Sequence, residues 1–333
     1  MTTFDLPASP RLLFHAALVP VQGKRFQPTG FPDVGAGIYT LPGGREQLLV
    51  ESAQSVANRL EAACWDDVEN DLVAPLKGLS YVRVNGADGE VLTTSIQEAH
   101  RLNSPYIERT DFFEKDLKTA IAFDEKKPTN RGRLVAALAK FDVGCLLHGV
   151  FLESIAGVLR VPRALSGFIE AEGVSRVNTG GVKNDRVQPA KDEEGGRTAA
   201  EGFGNVPFHR TEFVADHIYA YFNLDLEQLR AYRLGVEMER LLFALSLFKV
   251  QKFLATGLRL RTACDLSVDS IVVKMPSDFP VPALEEMTVA LPALIHAAQK
   301  HFASPPVTIT VFTTGDKKPK ATKPAKDAKA IAP

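Results

Sequence analysis

The sequence predicts an α+β fold, and three observations predict it. Apolar residues alternate with polar ones over Arg11–Val19, Gly167–Val177 and Phe213–Leu226, the period of half-buried strands. Between and after them lie stretches with helical spacing, the longest about Glu227–Leu254, apolar at Leu234, Met238, Leu241, Leu242, Leu245 and Phe248. Two long runs, Pro75–Arg133 and Asn178–Val206, fit neither period.

Taken in order, Leu12, Phe14, Ala16 and Leu18 line one face of the opening strand. A Gly- and Pro-rich loop, Val21–Gly37, follows, and the spacing of Leu49, Val56, Leu60 and Cys64 then predicts a helix over Glu46–Cys64. Pro75–Arg133 reads as an insertion with short helical pieces at Ser95–Arg101 and Phe112–Ile121. Apolar character returns in Phe141–Leu152, and Gly167–Val177 and Phe213–Leu226 are expected to pair as strands. The run between them, Asn178–Val206, carries six glycines and mixed charge, too long for an ordinary connection in a compact domain. After the long helix come a strand near Ile271–Lys274, a helix near Leu284–Phe302 and a strand at Val307–Phe312. Stripped of insertions, the order is β-α-β-β-α-β with an extra terminal strand, the ferredoxin-like or RNA-recognition-motif arrangement. Residues Gly315–Pro333, with six lysines and no apolar pattern, are expected to be a disordered tail.

Composition narrows the function classes. The 333 residues are 45% hydrophobic and 24% charged, enough to bury a sizeable core. No run of eighteen apolar residues offers a membrane span, and the N-terminus lacks a secretory pattern, so a cytoplasmic location is expected. The three cysteines, Cys64, Cys145 and Cys264, are odd in number and far apart, which fits a reduced compartment. A net charge of −1 denies the chain wholesale basicity, so any nucleic-acid binding must come from local patches.

Signatures of catalysis are missing: no Walker A loop, no H-E-x-x-H and no G-x-S-x-G. Gly35–Gly37 lacks the spacing of a dinucleotide loop. The seven histidines are scattered, and His296 and His301, five apart, suit shared ligation poorly. No metal or cofactor is expected.

Six polar-basic clusters stand where no core can be. They are Gln22, Lys24, Arg25 and Gln27 in the opening loop; Gln54, Asn58 and Arg59 on the first helix; and His100, Arg101, Asn103 and Tyr106 in the insertion. Asn130, Arg131 and Arg133, then Arg160 and Arg163, add two more. The sixth is the long run, with Arg176 at its entry, Lys183, Asn184 and Arg186 within it, and Phe203 and His209 near its exit. Guanidinium, ammonium and amide groups suit phosphate and sugar, and aromatic rings suit splayed bases. The same residues also suit solvated loops and helix faces. The acidic stretch Asp192, Glu193 and Glu194 suits protein or solvent better than phosphate.

Five segments, PVQGKRFQPTGFPDVGAGIY, LLVESAQSVANRLE, LTTSIQEAHRLNSPYI, LLHGVFL and RVPRALSGFIEAEGV, together resemble the backbone subunit of the type I-U (I-G) CRISPR Cascade complex, of the RAMP superfamily. The resemblance runs from about Arg11 to Phe312. It implies a palm of the RNA-recognition-motif kind over 1–74, 134–177 and 207–314, fingers inserted at 75–133, and a protruding thumb hairpin at 178–206, with the tail, 315–333, outside it. It also implies a non-catalytic role: copies stacked head to tail as a helical filament along one guide RNA (crRNA), with the target DNA strand and other Cascade subunits as partners. Such a protein holds the RNA backbone and leaves sequence reading to base pairing. The implied contacts are Lys24, Arg25, Gln27, Asn58 and Arg59 on the palm, His100, Arg101 and Asn103 on the fingers, and Lys183, Asn184, Arg186 and Phe203 on the thumb. Three alternatives stay open: metal-dependent cleavage of target RNA, as in type III complexes, through Asp33; a guide-processing ribonuclease; and a protein-only scaffold.

Overall fold

The computed structural model describes residues 4–30, 35–124, 126–155, 157, 159–183 and 204–313. Alternation makes Arg11–Pro20 the strand β1, with Leu12, Phe14, Ala16 and Leu18 buried and Leu13, His15 and Ala17 only half-buried on its other face. A hairpin follows, β2 (Gly37–Thr40) and β3 (Glu46–Glu51), and then helix α1 (Ala53–Ala62). The helix expected over 46–64 is therefore corrected: its first six residues are a strand. Leu48, Leu49 and Val50 satisfy either period, and the boundary is set by Ser52, whose Oγ accepts the Ser55 N–H at 3.2 Å as an N-cap.

The inserted region holds the short pair β4 (Trp65–Asp66) and β5 (Asp71–Leu72), then β6 (Tyr81–Asn85) and β7 (Val91–Thr94). Ser95–His100, expected to be helical, forms turns instead. Helices α2 (Pro105–Glu108), α3 (Lys118–Ile121), α4 (Arg131–Phe141) and α5 (Cys145–His148) lead to a hairpin of β8 (Val150–Leu152) and β9 (Leu159–Val161). Next come β10 (Leu165–Glu172), β11 (Ser175–Lys183), β12 (Val206–Val214) and β13 (His217–Asp225), then α6 (Leu226–Ala231) and α7 (Val236–Thr256). The single helix expected over 227–254 is thus two. Gly235, at φ 94°, holds a conformation that favours glycine and stops the first helix from running into the second. The chain closes with β14 (Arg259–Arg261), β15 (Cys264–Met275), α8 (Leu284–Ala298) and β16 (Val307–Val311).

Seven strands form one antiparallel sheet in the order β14-β15-β1-β13-β10-β3-β2. Helix α7 is apolar nearly all round and buries Leu241, Leu245, Phe248 and Phe253, because it packs against α1, α8 and the sheet. Strand β15 exceeds the expected Ile271–Lys274 because bulges at Leu13/Phe14 and Ala17/Leu18 break its alternation. The last strand, β16, pairs in parallel with β6 in a separate three-stranded sheet, β16-β6-β7.

Strands β11 and β12 form their own two-stranded sheet, in register from Ser175 opposite Val214 to Lys183 opposite Val206. Regular structure thus covers the first six residues, Asn178 to Lys183, of the run expected to be structureless. The remainder of that run up to Phe203 lies outside the described residues, as does the tail.

The two faces of β1 make unequal demands. Leu12→Ala should cost about 2–5 kcal/mol, the range for an emptied core site, and His15→Ala less than about 1 kcal/mol. Urea unfolding of the two variants measures the difference, and equal costs would contradict the assigned faces.

Candidate nucleic-acid interface

Three of the sequence clusters come together around two adjoining cavities. Helix α1 presents Gln54 and Asn58 one turn apart, the Gln54 amide donating to Asn58 Oδ1 at 3.4 Å. Arg163, just after β9, donates to the carbonyls of Ala53 (3.2 Å) and His148 (3.3 Å) and to Gln54 Oε1, which fixes the start of α1 against the β8–β9 hairpin. On that hairpin the Arg160 guanidinium lies 4.9 Å from the Phe151 ring centroid. Asn103 Oδ1 accepts the Glu153 N–H at 3.0 Å and holds the 100–103 segment alongside, with His100 exposed. The smaller cavity, about 250 Å³, is lined by Gln54, Asn58, Trp65, Gln97, His148 and Arg163 among others. The larger, about 640 Å³, is lined by His100, Asn103, Phe151, Arg160 and Arg163.

Beneath them is a buried cluster of charge. Arg101, expected to touch RNA, is 5% exposed; its Nε donates to Asp142 Oδ2 at 3.0 Å and its other nitrogens meet Asp142 and Glu61. That expectation is corrected: a guanidinium held by two buried carboxylates cannot reach a strand. Gly144 allows the approach, since a Cβ there would lie 2.2 Å from Arg101 Nη2. Lys249 of α7 also meets Glu61, and His148 Nε2 lies 2.8 Å from Glu61 Oε1. Burial, with help from Lys249, Arg101 and Arg163, holds the His148 pKa well below its ordinary value. The nearby carboxylate does not reverse this, because two carboxylates already balance two cations and a third cation would be buried unpaired.

The first and sixth clusters sit around the base of the β11–β12 arm. Phe26 and Phe213 exchange backbone hydrogen bonds at 2.9 and 2.8 Å, which ties the opening loop to the arm. Arg25 pairs with Glu212 at 3.1 Å, as does Arg210 at 2.6 Å, and Arg176 pairs with Glu46 at 3.5 Å. Arg59 bonds Leu260 O at 2.9 Å and Glu51 at 3.3 Å. Gln27 is half-buried, while Lys24, Lys183 and His209 are exposed. Arg131 and Arg133 stand exposed at the start of α4, behind the Asn130 N-cap. Asp33, Asn184, Arg186, Phe203 and the acidic 192–194 stretch lie outside the described residues.

One feature escaped the sequence reading. On the sheet face away from α1 and α7, Phe168, Tyr221 and His15 stand in register across three strands, with ring centroids 5.2 and 5.7 Å apart, and Tyr219 lies 5.0 Å from His15. The signal was there: the outward positions of these alternating strands are aromatic. Glu170 and Glu172 share this face, accepting from Tyr39 (3.0 Å) and Tyr221 (3.2 Å), so it repels phosphate. Trp65 and His148, at the smaller cavity, were also overlooked.

Residues 12–176 match the family described as CRISPR-associated protein GSU0053, a span that holds β1, the opening loop and the polar side chains of both cavities. The resemblance drawn from the five segments therefore holds. Among solved structures, the chain is similar to one described as "CRISPR RNA-guided surveillance complex, pre-nicking", at 13% identity over 82% of this chain and 80% of that one, with a TM-score of 0.40. A second, "CRISPR RNA-guided surveillance complex", is 14% identical over 84% and 80%, with a TM-score of 0.27. No curated protein matches the chain. Among the described residues no helix is long and apolar enough to cross a membrane.

The His148 environment sets a pH dependence. The unfolded chain takes up a proton at this histidine below its ordinary pKa of 6.5 and the folded chain does not, so stability is lost as pH falls through that value. The loss should reach about 1.4 kcal/mol per pH unit. His148→Gln should remove that part of the slope in urea unfolding between about pH 7.5 and about pH 5.5.

Proposed function

We propose that this chain is a non-catalytic backbone subunit that binds guide RNA in a type I CRISPR interference complex and supports its pairing with target DNA. The observation that carries the reading is the gathering of Gln54, Asn58, His100, Asn103, Arg160 and Arg163, from three distant segments, around two adjoining cavities. Polar and cationic side chains collected on a concave surface suit a phosphate backbone approached at several points. The match of residues 12–176 to a CRISPR-associated family supports it.

In this reading β15, β1, β13 and β10, adjacent in that order and crossed over by α1 and α7, are the palm. The inserted segment with β6 and β7 supplies the fingers, and β11 with β12 the stem of the thumb. Lys24, Arg131, Arg133 and Arg160, exposed, meet phosphates, and His209 and Lys183 meet the strand along the arm. Copies add head to tail along one guide, a heterologous contact that does not close into a ring, beside the other Cascade subunits. Sequence is read by base pairing, so the chain needs no reaction chemistry of its own.

The purified protein, alone or with its partners, should bind single-stranded RNA with little base preference and an affinity that falls steeply with salt. Arg160→Ala should lower the slope of log affinity against log salt by about 0.7, one released counterion on a single strand. Binding that ignores salt, or is confined to one sequence, contradicts the reading. Asp33→Ala should leave interference intact; loss of cutting of a complementary RNA by an assembled mutant complex would make the chain a nuclease instead.

A further inference from the structure

The smaller cavity has a chemistry that phosphate binding does not use. Part of its wall is small and apolar, Ala57, Ala62, Ile96 and Ala99, with the Trp65 indole beside them. Two buried ring nitrogens belong to its lining residues. The Trp65 indole N–H, in a side chain 9% exposed, has no acceptor among the described residues, and His148 Nδ1, 7% exposed, has no partner there either. His148 Nε2 lies 2.8 Å from Glu61 Oε1 but out of hydrogen-bond geometry, so Nδ1 of the neutral ring can donate or accept. The lining thus offers one donor, the indole N–H, and a ring nitrogen that donates or accepts, the makings of a site for a planar heterocycle. Asn58 and Gln97, whose amides both donate and accept, add contacts that do not select one base.

The charges orient such a ligand. Asp67 and Glu98 line the smaller cavity and oppose a phosphate inside it. Arg163 is shared with the larger cavity, where Arg160 also stands. An anionic group is therefore favoured outside and a neutral ring within. At about 250 Å³ the space accepts one base.

We propose that this cavity takes one unstacked nucleobase of the bound strand, with its phosphate held at Arg160 and Arg163. The proposal rests on the RNA-binding reading above and adds a fixed nucleotide position to it. Stacking on an aromatic face and hydrogen bonding to a base edge are the means by which proteins hold splayed bases, and they tolerate any base when the edge partners are amides.

Trp65 is the only tryptophan of the chain, so its emission reports on the cavity directly. The full-length protein is titrated with a single-stranded RNA and with a strand of the same length made of abasic ribose phosphates. Both should bind with salt dependence, but only the base-bearing strand should change Trp65 emission, and it should bind about fivefold or more tightly. Ala99→Leu, at an exposed position lining both cavities, should remove the emission change and bring the two affinities together while the protein stays folded. Equal emission changes with both strands in the wild type overturn the proposal and leave RNA binding standing; so does an emission change and affinity unaltered by Ala99→Leu. If neither strand binds, both readings fall.

Discussion

The Glu61 carboxylate is the interaction on which the concave surface depends. It projects from α1 and is met by Arg101 from the insertion, His148 from α5 and Lys249 from α7. Each contact fixes an element that carries an exposed polar side chain: α1 carries Gln54 and Asn58, the Arg101 turn carries His100 and Asn103, and the chain after α5 carries Arg160 and Arg163. Burying these charges is costly, and removing one partner of such a set leaves an unpaired charge, typically a loss of about 3–5 kcal/mol. The penalty gives the cluster its use as a specifying device: an arrangement of the four elements that parts these charges is far less stable. The second carboxylate, Asp142, completes the neutrality by holding the other side of Arg101.

The strands were legible where the period was clean. β1, β10 and β13 follow from alternation alone, and β10 and β13 pair as expected, from Leu165 opposite Leu224 to Glu172 opposite His217. β3 was not legible, since a run of three apolar residues fits a helix as well as a strand, and only the cap at Ser52 divides them. Within the site, Asn58, His100 and Asn103 were legible as polar groups in solvent-facing segments. Arg101 was not, although it stands between two of them. Its partners lie 40 residues before and 41 after it in the chain, and burial fixed by contacts that distant leaves no local trace.

The pairings observed also rank the expected cations by what it costs to free them. Arg176 is 55% exposed in its side chain and its partner Glu46 32%, and ion pairs at the surface are worth only about 0–1 kcal/mol, so a phosphate can displace Glu46 cheaply. Arg25 is 57% exposed but its partner Glu212 only 5%, and that buried carboxylate keeps Arg210 when Arg25 leaves. Arg59 is harder to recruit, because its guanidinium also satisfies the Leu260 carbonyl, whereas Arg163 stays in place on His148 and Ala53 and offers a phosphate its remaining N–H groups. Arg101 cannot be recruited at all. Local basicity in a chain of net charge −1 is thus a matter of which side chains are held loosely.

The two sides of the large sheet divide the remaining chemistry. On the side of α1 the cations and amides converge on a concavity, whereas on the other the row Phe168, Tyr221 and His15 lies beside two carboxylates. Aromatic rings alone would suit bases on either side, so the sign of the nearby charge decides. A polyanion approaching the aromatic face meets Glu170 and Glu172 at close range, with Lys274 the cation lining the same hollow. At the larger cavity it meets Arg160 and Arg163 beside Glu108 and Glu153, while the buried Glu61 and Asp142 beneath are neutralised by Arg101 and Lys249. The neutral interior of the Glu61 cluster is therefore what lets a surface rich in carboxylates beneath accept phosphate above.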